Sequence, residues 1–507
     1  MQNKKLFLLI AGCAAVKFLV HILTGSNYGF FCDELYTIAL SKHLAWGYVD
    51  LPPLVPALVA LNRLLLGESL FAMHIVPALA GAGTLVFVCL ITKEMGGRLF
   101  AVGVAGLGVL IAPVWLYLDS FFCYDSIDQL LLAAFIFVLV KLIKTGNVKI
   151  WLALGAIAGV ACLTKDTILF LGPGLLLALL ATKRRKDLLT PWIWAGVAIF
   201  LAIISPYGVW EYLNKWPTLE FWGIYRSQTL YHASFTEYAL STIMTMNPVL
   251  VPLLILGFYR IFRRFGEVSY AVIGIMVTAT FVLLISLHGR SFMLSQLFMP
   301  LIAAGAVFLE ELAARVRWKS WMKAVAVTLM IAGGILVLPA TVPLLPVQAL
   351  PAYAKSFGFL YQPIKDFNTP KSVYPQEFSN RIGWEQLVEQ VAQVYQSLSP
   401  EEQKAAGIWA DWYGPAGAID LFGSKYGLPR AVSGHMNYYL WGPGESNWQV
   451  MIFVTGAMEQ LRVFFWDIEF KEQIQNDFAM PYNRLSIYVC KGPTMPPTTI
   501  WRYLKIY

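Results

Sequence analysis

Charge is scarce in this chain. Of 507 residues only 13% are Asp, Glu, Lys or Arg, while 58% are apolar, against roughly 25% and 45–50% in ordinary soluble domains. A soluble globule could not hide that much apolar surface, and the same figures exclude a disordered or collagen-like chain. Cysteine is sparse as well: Cys13, Cys32, Cys89, Cys123, Cys162 and Cys490 are scattered, with no CxxC pair. They form neither a zinc motif nor a disulfide framework and read as small apolar filler. Residues 344–507 contain no glycine-rich phosphate loop and no His/Cys ligand spacing.

What the chain has in quantity is long apolar runs. Stretches of membrane-spanning length lie near 5–23, 69–92, 99–118, 126–144, 149–164, 166–182, 190–210, 237–258, 268–287, 292–312 and 322–343. The expectation is a polytopic α-helical membrane protein with about eleven spans. The first run is longer than a signal-peptide core and no A-x-A-like site follows it, so it reads as a retained helix.

The net charge of +8 resolves along the chain. Residues 1–343 carry 25 Lys/Arg and 16 Asp/Glu, whereas 344–507 carry 13 and 14. Connections on one side of the spans hold 18 Lys/Arg and those on the other side six. That asymmetry follows the positive-inside rule, placing the N-terminus in the cytoplasm and, after eleven crossings, residues 344–507 outside. A nucleic-acid binder would gather its cations on one face, so nucleic acid is not an expected partner. Carboxylates favour the outer side, where insertion does not call for them.

Two outer connections are long enough to be functional. Residues 25–68 pair a helix-like DELYTIALSKHLAWGY with DLPPLVP and ALVALNRLLL. Both apolar stretches are too short to span, and they read as surface helices anchored by Tyr36, Trp46 and Tyr48. Residues 211–236 are similarly aromatic and amphipathic. From 344 the pattern changes to a proline-rich entry, a helix over 381–398, another from SPEEQ, and short strands at IWAD, AVSG, QVMIFVTG and LSIYVC, with helical patterns near 415–424 and 457–465. This predicts an extracytoplasmic α/β domain over 344–507 with a mostly parallel sheet, beside a membrane domain over 1–343.

Three constellations could carry chemistry. Asp33 and Glu34 open the first outer loop; either carboxylate could face a site, and either could instead cap a helix. Asp119, Asp125 and Asp128 cluster where span three returns as span four. Asp128, just inside the boundary, is costly against lipid and should face a protein cavity. Lys165, Arg226, His232 and the His288–Arg290 turn are cations and histidines on the side where topology needs none. They suit a phosphate-bearing ligand, or a headgroup or carboxylate partner, with Lys165 and Asp166 able to neutralise each other. Together they describe an outer cavity for a lipid-linked anionic substrate.

The run from DELYTIALSKHLAWGYVDLPPL to ITKEMGG resembles the opening segment of bacterial integral-membrane glycosyltransferases of the protein-O-mannosyltransferase and aminoarabinose-transferase superfamily, which share the GT-C fold. FFCYDSIDQLLL, CLTKDTILF and HGRSFMLSQLFMP are similar to later segments of that family, and the tail from GWEQLVEQ to YYLWGP resembles the periplasmic domain of a bacterial subset. The resemblance implies sugar transfer from a polyprenyl-phosphate-linked donor to a cell-envelope acceptor. It places the catalytic carboxylate at Asp33 and the second acidic position at Asp128. Asp50 falls where one branch has a metal-linked acid, but Leu51 and Tyr36 replace a lysine and an arginine of that branch.

The mechanism this implies has Asp33 taking the proton of an acceptor hydroxyl that attacks the anomeric carbon with inversion. Asp128 and Glu34 orient substrates; Tyr36, Asp50 and His232 line the site; Lys165, Arg226 and Arg290 balance the leaving phosphate. A divalent cation held by Asp50 and Asp128 is a candidate cofactor. The rival readings are a lipid or polysaccharide transporter and a non-catalytic glycan-binding protein. Carboxylates at span ends, and not at the midplane, favour surface chemistry.

Overall fold

The computed structural model of the protein describes residues 2–228, 235–263, 269–287, 291–357, 376–480 and 483–507. Among these, six helices are long and apolar enough to cross a membrane: Asn3–Asn27, Leu70–Glu94, Tyr124–Thr145, Pro191–Leu213, Phe292–Arg315 and Ser320–Ala340. At 1.5 Å per residue, the 25 residues of Leu70–Glu94 reach about 37 Å, enough for a hydrocarbon core of ~30 Å. Two further apolar stretches are helix pairs bent by 109° (Thr167–Ala181 with Lys183–Leu189) and 92° (Thr236–Met246 with Pro248–Phe262), which brings the candidates to eight.

The eleven expected runs all fall on helices, but three are short. Leu99–Ile111 and Ile150–Cys162 have 13 residues and Ala271–Ser286 has 16, or about 20–24 Å of helix, less than a bilayer core. The run 99–118 is divided because Pro113 starts a new helix, Pro113–Leu118; a proline has no N–H to give the preceding turn. Six to eight spans by length and composition, on a mostly helical chain, make this a multi-pass membrane protein.

The chain divides into two compact units. The first comprises 1–27, 71–210 and 230–366; the second comprises 28–70, 211–229 and 367–507. In the first, close helix packing depends on small residues. A Cβ on Gly257 would overlap the carbonyl of Leu301, and one on Gly305 would overlap that of Leu253, so helices Val251–Phe262 and Ser295–Arg315 touch backbone to backbone. Elsewhere the apolar surface faces outward. Only 11% of the apolar stretch of Pro191–Leu213 is buried, which is unfavourable in water and natural against lipid.

The second unit joins residues 28–70 to the C-terminal segment. Its sheet has five strands: β1 (Ala406–Ala410), β2 (Ala431–Val432), β3 (Val450–Thr455), β4 (Phe465–Gln473) and β5 (Ser486–Pro493), in the order β2-β1-β3-β5-β4. Every residue of β1 and β3 is buried, as expected of strands covered on both faces. Trp409, Met451, Phe453, Tyr488 and Cys490 build the core with Trp448 and Trp501.

The expected mostly parallel sheet is a mixed one. β1 runs parallel to β2 and β3, but β5 is antiparallel to both β3 and β4. β4 escaped the pattern because it is an edge strand with Asp467, Glu469, Lys471 and Glu472 along it, the charged edge that discourages further pairing. The helices met expectation more closely: Trp384–Gln396, then Pro400–Ala405, where Ser399 and Glu402 form a capping box. None of the six cysteines is in a disulfide and all but Cys13 are buried, in keeping with apolar filler.

Candidate active site

The second unit carries Asp33, Glu34, Tyr36 and Asp50. Asp33 lies in the first turn of the helix Cys32–Ser41, which we call the loop helix. Its start is fixed twice: the Phe31 N–H donates to Glu34 Oε2 at 2.8 Å, and the Cys32 N–H donates to the Asn380 carbonyl at 3.1 Å. Glu34 is wholly buried. Its Oε2 caps the helix, so it shapes the site through the backbone of the loop helix.

Asp33 is half-buried, and two donors meet on one of its oxygens. The Tyr413 hydroxyl donates to Oδ1 at 2.8 Å and the Cys32 thiol at 3.4 Å. Burial and the adjacent Asp33 charge push the Cys32 thiol well above its ordinary range, so it stays a protonated donor.

Tyr36 and Asp50 form the second element. Tyr36 is 2% exposed; its hydroxyl donates to Asp50 Oδ1 at 2.8 Å and accepts from the Asn437 N–H at 3.1 Å. The Asn437 side chain in turn accepts from the Val49 N–H. Burial pushes the Asp50 carboxyl up to about 7, against the opposing hydrogen bond from Tyr36. Tyr36 and Tyr48 were expected as membrane-surface anchors, and the structure corrects this. Both are buried, while Trp46 is 63% exposed, because the Tyr36 ring stacks at 4.6 Å on Tyr413, a residue of the C-terminal segment.

The first unit carries Asp128 and Lys165. Lys165 forms an ion pair with Asp125 at 2.6 Å. Its ammonium also lies 4.6 Å from the ring centre of Tyr124. Asp128 is wholly buried near the top of Tyr124–Thr145, with the Thr167 hydroxyl beside it but no well-formed hydrogen bond to either oxygen. A buried carboxylate without such bonds is expensive, and the nearby Lys165 charge offsets part of that cost.

Arg226 lies on the helix Pro217–Gln228, its side chain outside the described residues, as are His232 and Arg290. Asp50 and Asp128, the expected metal ligands, belong to different units. Among the described residues no group of three or more His, Cys, Asp or Glu is arranged to hold a metal ion.

Sequence reasoning missed two features. Lys17, the one cation inside the first apolar run, is fully buried against Asp119 at 2.8 Å; a lysine in a span was the available signal. Tyr413 and Asn437 had no such signal, since their partners lie about 380–400 positions earlier in the chain, and His435 joins them only through Tyr413.

The sequence profile of the dolichyl-phosphate-mannose-protein mannosyltransferase family matches residues 50–210. No curated protein matches the chain in sequence. Among solved structures, ArnT from Cupriavidus metallidurans in its apo state superposes with a TM-score of 0.61 at 15% identity, over 96% of this chain and 98% of that one. The same protein bound to undecaprenyl phosphate gives 0.58 at 16%, over 95% and 97%. The archaeal oligosaccharyltransferase AglB from Archaeoglobus fulgidus gives 0.52 at 10%, over 90% of this chain and 70% of that one. The family profile thus matches residues 50–210, and the chain shares its fold nearly end to end with ArnT.

Proposed function

We propose that the protein is an inverting glycosyltransferase. It moves a hexosyl, pentosyl or aminosugar group from a polyprenyl-phosphate-linked donor to a hydroxyl of a lipid, glycan or protein acceptor on the outer face of the cell membrane. The carrying observation is Asp33, a half-buried carboxylate in the first turn of an otherwise buried helix, held by two hydrogen-bond donors. Such donors favour the ionised form that a general base needs. The fold shared with ArnT, captured with undecaprenyl phosphate, supports a lipid-linked donor.

In this mechanism the acceptor oxygen attacks the anomeric carbon opposite the phosphate. The bond from that carbon to the phosphate oxygen breaks, and its electron pair leaves with the polyprenyl phosphate. Asp33 takes the acceptor's proton. Asp128 orients a substrate group through its buried carboxylate, and Lys165, Arg226 and Arg290 balance the phosphate charge. Asp50, titrating near 7, is protonated for part of the time at neutral pH, which suits hydrogen bonding to sugar hydroxyls. The three short helices Leu99–Ile111, Ile150–Cys162 and Ala271–Ser286 cross with the others, giving eleven crossings, a cytoplasmic N-terminus and an extracytoplasmic 344–507 domain. The membrane is the inner one.

The test is D33N protein in liposomes supplied with labelled polyprenyl-phosphate sugars and candidate acceptors. Transfer should fall by about 10²–10⁴-fold, the span of general-base effects, with unfolding and insertion unchanged. Transfer retained by D33N would overturn the base; label crossing the bilayer without any transfer by the unmodified protein would indicate a transporter.

A further inference from the structure

The C-terminal segment does more than stand beside the loop helix. Tyr413 opens the helix Tyr413–Phe422, and Gly417 on that helix lets it approach closely, since a Cβ there would come within 2.8 Å of the Leu35 backbone. Side-chain bulk at 417 would lift Tyr413 away from Asp33.

The Tyr413 ring has little freedom. Tyr36 stacks on it at 4.6 Å and 22°, His435 lies at 5.0 Å, and Trp412 meets it edge-on at 5.1 Å. Its own backbone N–H donates to His435 Nδ1 at 3.4 Å. Burial holds His435 down to about 3, so the imidazole remains a neutral acceptor across the working range. A ring held in this way aims its hydroxyl at one point, and that point is Asp33 Oδ1 at 2.8 Å. Partners 380 positions apart in sequence thus meet at the proposed base.

We infer that Tyr413 is a positioning residue for sugar transfer, its hydroxyl fixing the orientation of the Asp33 carboxylate, so that the C-terminal domain completes the active site. The inference rests on the proposed role of Asp33. A hydrogen bond from a neutral hydroxyl to a carboxylate is charge-assisted and stronger than a neutral pair. Losing it removes the shorter of the two hydrogen bonds that aim Oδ1 and loosens the carboxylate's alignment, which affects the reacting state more than substrate binding.

The experiment uses the full chain in liposomes. Tyr413→Phe keeps the stacked ring and removes only the hydroxyl. Expected is a fall in kcat of about 10- to 100-fold with KM for donor and acceptor within about twofold. Tyr438→Phe is the control, because Tyr438 also donates its hydroxyl to a carboxylate, Asp420 at 2.9 Å, in the same unit; its kcat should stay within about twofold. An unchanged kcat in Y413F, an equal loss in Y438F, or a loss carried by KM overturns the inference. If Y413F is unaffected while D33N is inactive, Tyr413 has no positioning role and the general base stands. If D33N is active, the base assignment falls and the inference with it.

Discussion

The Lys17–Asp119 pair gives a sharp prediction about what holds the membrane unit together. Lys17 Nζ sits 2.8 Å from Asp119 Oδ2 and donates to the Trp115 carbonyl at 2.8 Å, with both side chains essentially inaccessible. Gln129 donates its amide to the other oxygen, Asp119 Oδ1. The pair therefore ties helix Gln2–Thr24 to the turn between Pro113–Leu118 and Tyr124–Thr145. Lys17→Met keeps the length of the side chain but strands a buried carboxylate and frees a buried carbonyl. Breaking such a pair from one side costs about 3–5 kcal/mol, most of it the penalty on the partner left behind. Asp119→Asn in the same background removes that stranded charge and should recover more than half of the loss. The assay is reversible unfolding in mixed detergent micelles, read as a double-mutant cycle with a coupling of about 2–4 kcal/mol. A single-variant cost below about 1 kcal/mol, or simple additivity, would refute the account.

Two further outcomes follow from the second unit. Because the folded protein holds the Asp50 proton up to about 7, whereas an unfolded aspartate releases it near 4, this group favours the folded state below about pH 4, and its contribution is lost as pH rises toward 7 and beyond. Asp50→Asn should flatten the decline in thermal stability between pH 4 and 7, and Tyr36→Phe, which removes a donor to the charged form, should move the decline upward. Equal slopes for the unmodified protein and D50N would contradict the burial argument. Gly417→Ala should cost about 1–3 kcal/mol of stability by overpacking against Leu35 and should reduce transfer with it. Gly208→Ala, where a Cβ meets nothing within 4 Å, should be nearly neutral in the same unfolding assay.

The parts of the fold legible in the sequence were those governed by local periodicity. Apolar runs marked every membrane helix, and the Ser399–Glu402 capping box and the buried runs of β1 and β3 announced themselves over a few residues. Run length alone could not show that Pro113 splits one run or that two others are sharply bent, because those depend on how each helix packs. β4 was hidden for the opposite reason: its charged edge has no apolar period to read. At the site, Asp33 and Asp50 could be found from the first loop alone. The inward turn of Tyr36 and Tyr48 could not, since an aromatic side chain at a loop suits a membrane surface as well as a protein core. What decided the matter was Tyr413 and Asn437, which no spacing connects to residue 36.

The union of residues 28–70 with 367–507 in one unit also sets an order of assembly. The loop helix leaves the ribosome early, but Tyr413 follows it by 380 residues. At about 5–20 residues per second that is a delay of roughly 20–75 s, during which the loop helix must wait without the surface it packs against. A chain stalled or cut anywhere before the C-terminal domain would insert its membrane helices and still lack a finished site.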